Sequence, residues 1–149
     1  MSPDERFMRA ALDLAARAGE QGEVPVGAVV VLGEEIVGSG ANCPVGTHDP
    51  TAHAEVLALR DAATRRQNYR LGDCELYVTL EPCVMCMGAL LNARIRRLVF
   101  GAWDAKAGAC GSVLDLSRAA GLPYRIDVFG GVSSDASTVL LKKFFERRR

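Results

Sequence analysis

Two short stretches about thirty residues apart set the tightest limits on this chain: His53-Ala54-Glu55 and Pro82-Cys83-Val84-Met85-Cys86. Between them they offer one imidazole, two thiolates and a carboxylate. Three protein ligands with a fourth position left to water make a catalytic zinc site, whereas a structural site closes all four positions with protein. Cys83 and Cys86 stand three residues apart at an expected helix start, so both can grip one ion from the same face. The positive end of that helix favours their thiolate forms. His53, at the start of another expected helix, can supply the third ligand. Glu55 lies two residues on, about 200° round a helix axis. It cannot ligate along the same flank as His53, and it reaches the ion's far side only if the ion lies off the helix end.

Other readings of these residues remain open at this level. His48 could close the site as a fourth ligand, since it stands five residues from His53 across Asp49-Pro50. A lone C-x-x-C could also be a redox pair. The joint pattern narrows the choice: H-x-E followed some thirty residues later by P-C-x-x-C is the general signature of zinc nucleobase deaminases. His48 then reads as a residue that orders its loop by hydrogen bonding.

The chain has 149 residues, a length suited to one domain, here residues 1–149. Its net charge of +0 neither demands nor excludes a nucleic-acid partner. No apolar run approaches the ~18 residues of a membrane span. The first residues carry acidic side chains where a secretion signal needs basic ones, so a cytoplasmic protein is expected. Five cysteines in such a chain are more readily metal-binding or buried than disulfide-bonded.

Apolar periodicity predicts a helix from about Asp4 to Ala18, then strands over Val26–Leu32 and Glu35–Ala41 joined as a hairpin. Asn42 to Thr51 reads as a loop. A helix follows from Thr51 or Ala52 to about Arg65, then a strand over Cys74–Leu80. Pro82 opens the next helix, running to about Ala93. Strands are expected over Ile95–Gly101 and Tyr124–Val128, and a last helix from Ser133 to Arg148, capped by Ser133 or Ser134. Helices alternating with apolar strands imply an α/β layered sheet.

Beyond the metal motifs, longer stretches resemble the bacterial tRNA adenosine deaminases that convert wobble adenosine to inosine. They are Glu23-Val-Pro-Val-Gly-Ala-Val, His48-Asp-Pro-Thr-Ala-His-Ala-Glu-Val, Gln67-Asn-Tyr-Arg-Leu, Leu76-Tyr-Val-Thr-Leu-Glu-Pro-Cys-Val-Met-Cys and Val99-Phe-Gly-Ala, with Asp104-Ala-Lys and Phe144-Phe145 beyond. The resemblance implies a cytidine deaminase-like fold, a three-layer α/β/α sandwich on a five-stranded mixed sheet, acting as a homodimer with one zinc ion per subunit. It gives the ligand roles to His53, Cys83 and Cys86 and the proton shuttle to Glu55. It also implies that Asn42 holds the flipped nucleoside, that Val24 packs on the base, and that Asp104 contacts the nucleic acid. Phe144, Phe145 and the basic tail would flank a bound tRNA anticodon arm. The chain departs from relatives at Cys43, Thr47 and Trp103, which bears on how RNA is held and not on the chemistry. A relative acting on a free guanine- or cytosine-type base or nucleotide is the alternative. A non-catalytic zinc-stabilised RNA-binding module would have no use for Glu55.

Basic residues cluster at Arg65-Arg66, Arg70, Arg94, Arg96-Arg97, Lys142-Lys143 and Arg147-Arg148-Arg149. The run at the end of the chain has Phe144 and Phe145 within it, an arrangement suited to stacking on splayed bases. Phe144 and Phe145 are adjacent, so a helix turns them about 100° apart and at least one is expected in the core. Cys74 is expected to be buried, and Cys110, in a glycine-rich loop, could be a free thiol. Glu81 could orient the metal loop or stand exposed.

Overall fold

A computed structural model describes residues 1–119 and 121–148. Arg149, the last residue of the basic tail, lies outside the described residues. The chain runs α1 (Pro3–Glu20), β1 (Gly27–Leu32), β2 (Glu35–Ala41), α2 (Pro44–Thr47), α3 (Ala54–Arg66), β3 (Glu75–Leu80), α4 (Val84–Ala93), β4 (Arg97–Ala102), β5 (Asp127–Phe129) and α5 (Ser134–Glu146). The five strands form one sheet in the order β2-β1-β3-β4-β5. β1 pairs antiparallel with both β2 and β3, while β3–β4 and β4–β5 are parallel. The expected mixed five-stranded sheet is therefore present.

Strand alternation sends side chains to opposite faces. Ala28, Val30, Leu76, Val78, Leu98 and Phe100 meet Ala58 and Ala62 of α3 and Met87 and Leu90 of α4. Val29, Val31, Tyr77 and Val99 face the other way, onto Phe7, Met8 and Ala11 of α1. Ser2 and Glu5 form a reciprocal capping box at the start of α1. On the same side α5 is pinned by Ser137, a buried residue whose hydroxyl donates to the Thr79 carbonyl at 2.5 Å.

Edge strand β2 carries Gly38 and Gly40 where α3 crosses it. A Cβ on Gly40 would lie 2.4 Å from the Ala54 carbonyl oxygen and 2.6 Å from the Ala58 nitrogen. The two glycines let the helix rest on bare backbone, and this contact fixes the height of its first turn, where Glu55 sits. Gly40→Ala should cost about 1–3 kcal/mol of stability by overpacking, read from the denaturant midpoint.

Several local expectations need correction. The Asn42–Thr51 loop contains the short helix α2, with Pro44 in its first turn and His48 at φ 52° closing it. His48 is exposed and orders the loop through its backbone. The helices α3 and α4 start later than expected, with His53 and Cys83 as extended N-cap residues just outside them. Tyr124 lies before β5 because Arg94 takes up its ring, with the guanidinium 3.4 Å from the centroid. Ser133 flanks α5 in a left-handed conformation (φ 55°) without a side-chain capping bond. Neither Phe144 nor Phe145 reaches the core: Phe144 is half-buried and Phe145 is 52% exposed, the two rings meeting edge-on at 5.3 Å. Trp103 is also on the surface, at 56% exposure, edge-on to Phe100.

Candidate active site

Every segment that builds the site ends at the same rim of the sheet. β3 delivers Glu81, Pro82 and Cys83 from its C-terminal end, β2 delivers Asn42, and β4 delivers Asp104. β1 runs the opposite way, so Val24 and Val26 precede it at that rim. Ligand sites of open α/β sheets lie at the carboxyl ends of strands for this reason.

The N-cap positions of α3 and α4 bring the metal donors together. His53 Nδ1 lies 3.7 Å from Cys83 Sγ and 3.5 Å from Cys86 Sγ. A tetrahedral zinc with bonds of about 2.0–2.3 Å holds nitrogen and sulfur ligands roughly 3.6 Å apart, so the donor set fits it. Among the described residues, His53, Cys83 and Cys86 are the group whose donor atoms converge in this way, all within 4.8 Å of one another. His48 is not part of it.

The electrostatics fit a cation equally well. Cys86 and His53 beside it lower Cys83 to about 3. Cys86 moves upward, because a second thiolate next to the first, in a buried position, is unfavourable. The metal-free pair thus keeps one proton on Cys86, which a divalent ion would displace. His53 is raised by its hydrogen bond with Cys83.

Glu55 occupies the first turn of α3 and is 4% exposed. Burial raises its carboxyl to about 7. A cavity of about 220 Å³ opens onto it, lined by Val24, Val26, Asn42, His53, Glu55, Leu80, Glu81, Cys83, Asp104 and Ala107. That is below the ~300–1,000 Å³ of drug-sized pockets and suits one planar base. Since His53 is extended rather than helical, the 200° separation inferred along a continuous helix does not apply, and both side chains face this cavity.

The structure thus gathers seven of the nine sequence candidates: His53, Glu55, Cys83, Asn42, Val24 and Asp104 around the cavity, with Cys86 beside them in the metal group. Asn42 donates from Nδ2 to the Val24 carbonyl at 3.2 Å, tying two of them together. Asp104 Oδ1 accepts from the Lys106 and Ala107 amides, so part of its carboxylate holds its own turn. Phe144 and Phe145 are not among the cavity's lining residues. Phe144 lines a separate groove of about 660 Å³ along α1 and α5, with Gly22, Lys143, Arg147 and Arg148.

Two functional carboxylates escape the sequence reading in whole or part. Glu23 is 3% exposed and accepts from the Val45 and Gly46 amides at 3.0 and 2.7 Å, holding α2 against the segment that carries Val24. Glu81, open to two roles in the sequence, is buried and bound to the loop after β4. Glu81 stands between Leu80 and Pro82 in a largely apolar run, whereas Glu23, after Gln21 and Gly22, gives no such signal.

Residues 1–102 match the family described as the cytidine and deoxycytidylate deaminase zinc-binding region. The chain is 49% identical over 147 residues to the tRNA-specific adenosine deaminase of Haemophilus influenzae, covering 98% of this chain and 85% of that protein. With the enzyme of the same name from Bacillus subtilis it shares 38% over 149 residues, covering 100% and 92%. The chain belongs to the tRNA-specific adenosine deaminase family. A solved structure from a study of A-to-I editing by tRNA:A34 deaminases at the wobble position superposes with a TM-score of 0.89 at 41% identity, over 91% of this chain and 99% of that one. The guanine deaminase of Nitrosomonas europaea superposes with 0.80 at 28% identity, over 94% and 83%. The fold is cytidine deaminase-like, and the cofactor is one zinc ion per chain.

Proposed function

We propose that this chain, acting as one deaminase domain over residues 1–149, hydrolyses adenosine to inosine at the wobble position of a tRNA anticodon loop, releasing ammonia. The observation that carries the chemistry is the buried Glu55 carboxylate facing a base-sized cavity beside three converging metal donors. The likeness to tRNA-specific adenosine deaminases supports the substrate.

A zinc ion held by His53, Cys83 and Cys86 would supply Lewis-acid polarisation and a water of lowered pKa. Glu55 takes a proton from the attacking water and delivers it to N1 of the purine. The water oxygen bonds to C6; Glu55 then takes the remaining proton from that new hydroxyl and passes it to the exocyclic nitrogen, so the C6–N bond breaks, ammonia leaves and C6 becomes the carbonyl of inosine. A carboxyl held near 7 can both accept and return a proton at neutral pH. Val24 packs on the base, Asn42 holds the nucleoside, and Asp104 contacts the nucleic acid at the cavity mouth. Turning a base out of a single-stranded loop costs little, which favours an anticodon loop over a duplex.

Phe144, Phe145 and the basic end of α5 flank the loop in this reading. Ion pairs already occupy Arg65, Arg66, Arg96 and Arg97, partnered by Asp61, Asp73, Glu75 and Asp4. Arg94 bonds the Leu91 and Asn92 carbonyls and Arg70 lies over the Tyr69 ring, so the α5 end, where several basic side chains stand together, is the better phosphate-binding group. Charge reversal at Arg147 and Arg148 should flatten the salt dependence of tRNA binding by about 0.7–0.9 in log–log slope for each phosphate no longer neutralised. An unchanged slope removes them from the interface. An apolar groove along α3 and α4, lined by Val56, Leu59, Ala63 and Tyr69, supports a homodimer, which sedimentation would test. No described helix is long and apolar enough to cross a membrane, and work on tRNA implies the cytoplasm.

The deciding experiment incubates zinc-loaded protein with a tRNA carrying adenosine at the wobble position and assays inosine there. Ammonia release from free guanine or cytosine, with no inosine in tRNA, would instead favour the free-base reading that the guanine deaminase likeness keeps in view.

A further inference from the structure

Between β4 and β5 the described residues, 103–119 and 121–126, carry no helix or strand, yet this connection forms one wall of the cavity through Asp104 and Ala107. A wall of irregular backbone needs something to hold it, and one side chain does most of that. Glu81 is 2% exposed and has no cationic partner among the described ion pairs. Its Oε1 accepts from the Asp104 amide at 2.9 Å and from the Ser112 hydroxyl. Its Oε2 accepts from the Cys110 and Ser112 amides at 3.0 and 3.1 Å. A carboxylate has about four acceptor positions, so the loop takes all of them and leaves none for a substrate. The loop is also moulded to this group: a Cβ on Gly108 would lie 2.3 Å from the carboxyl carbon. Next to Glu81, the Pro82 carbonyl accepts from the Ala109 amide at 2.8 Å, running the same docking along the backbone.

We propose that Glu81 is a positioning residue: its carboxylate folds the 104–112 loop around itself and so sets the cavity wall that orients the base. The proposal deepens the adenosine deaminase reading and rests on it for the identity of the base, though not for the loop. Glu81 touches no reacting atom. It acts through Asp104 and Ala107, and the same β3–α4 connection that supplies Cys83 supplies it. The wall and the metal group are therefore built from one short segment.

The test is Glu81→Gln, which keeps the shape but replaces one acceptor oxygen with an NH₂ facing amide donors. Ser112→Ala, on the exposed side, removes one donor without disturbing the core. In zinc-loaded Glu81→Gln, hydrogen exchange at the Asp104, Cys110 and Ser112 amides should accelerate at least tenfold. kcat on tRNA per bound zinc should fall at least tenfold, with KM within about threefold, because the RNA arm supplies most of the binding while the base loses its orientation. Ser112→Ala should show the same pattern at two- to fivefold. Unchanged exchange at those amides, or a freed loop with kcat per zinc unaltered, overturns the proposal. The exchange measurement needs no substrate: a wild type inactive on tRNA whose loop is nevertheless freed by Glu81→Gln would sink the tRNA adenosine reading alone.

Discussion

Glu55→Ala should leave a folded protein with a full zinc complement and almost no turnover. A well-placed acid/base contributes typically ~10²–10⁴-fold, or about 3–5 kcal/mol of barrier. Glu55 is not one of the three converging donors, so removing its carboxylate leaves the metal group intact. It is buried without being a central packing residue, and truncation relieves the cost of burying a carboxyl that has been pushed up to about 7. Stability should therefore hold or rise slightly while single-turnover inosine formation collapses. Wild-type rates in this variant would remove Glu55 from the mechanism.

Cys86→Ala should behave in the opposite way, losing zinc first and activity as a consequence. Cys86 is fully buried, one face of α4 is built around it, and its sulfur is 3.5 Å from His53 Nδ1. Removing it leaves two donors, too few for a site whose affinity depends on all three, and metal binding that is coupled to folding is worth several kcal/mol. Elemental analysis should find far less than one zinc per chain, with a lowered thermal midpoint that added zinc does not restore. Cys74→Ala is the control. Cys74 is equally buried but bonded to Arg66, remote from the metal group, so zinc content should be unchanged. A Cys86→Ala protein that retains one zinc would require another ligand set.

The parts of the site visible in the sequence are those whose chemistry demands a residue type at a fixed spacing. His53, Cys83 and Cys86 can be read because a metal tolerates few substitutes, and Glu55 because a spare carboxylate beside a ligand is seldom otherwise useful. The strands are legible because β-branched runs such as Val29–Val31 report burial on both faces of the sheet. The helix starts read two or three residues early because Thr51, Ala52 and Pro82 resemble ordinary helix openings, while the true N-caps are the metal donors themselves. Periodicity sends one of the two adjacent phenylalanines to the core because it cannot say that α5 presents Phe144 to a groove beside α1. The roles of Glu23 and Glu81 are hidden for a different reason. Each is defined by backbone amides of distant segments, 22 to 31 residues away, and an amide carries no sequence label.

His53 and Cys83 stand where helices ordinarily carry serine, threonine or aspartate, and neither side chain bonds the amides of the turn it begins. Both helices therefore lack a serine, threonine or aspartate clasp at their leading ends, and an ion bound between them should help to hold those ends. A cell short of zinc would then shorten the lifetime of the protein as well as silencing it, by exposing two adjacent cleavage points. Limited proteolysis with and without a chelator should read this as new cuts near residues 53 and 83, and identical digestion patterns would show that the helices hold unaided.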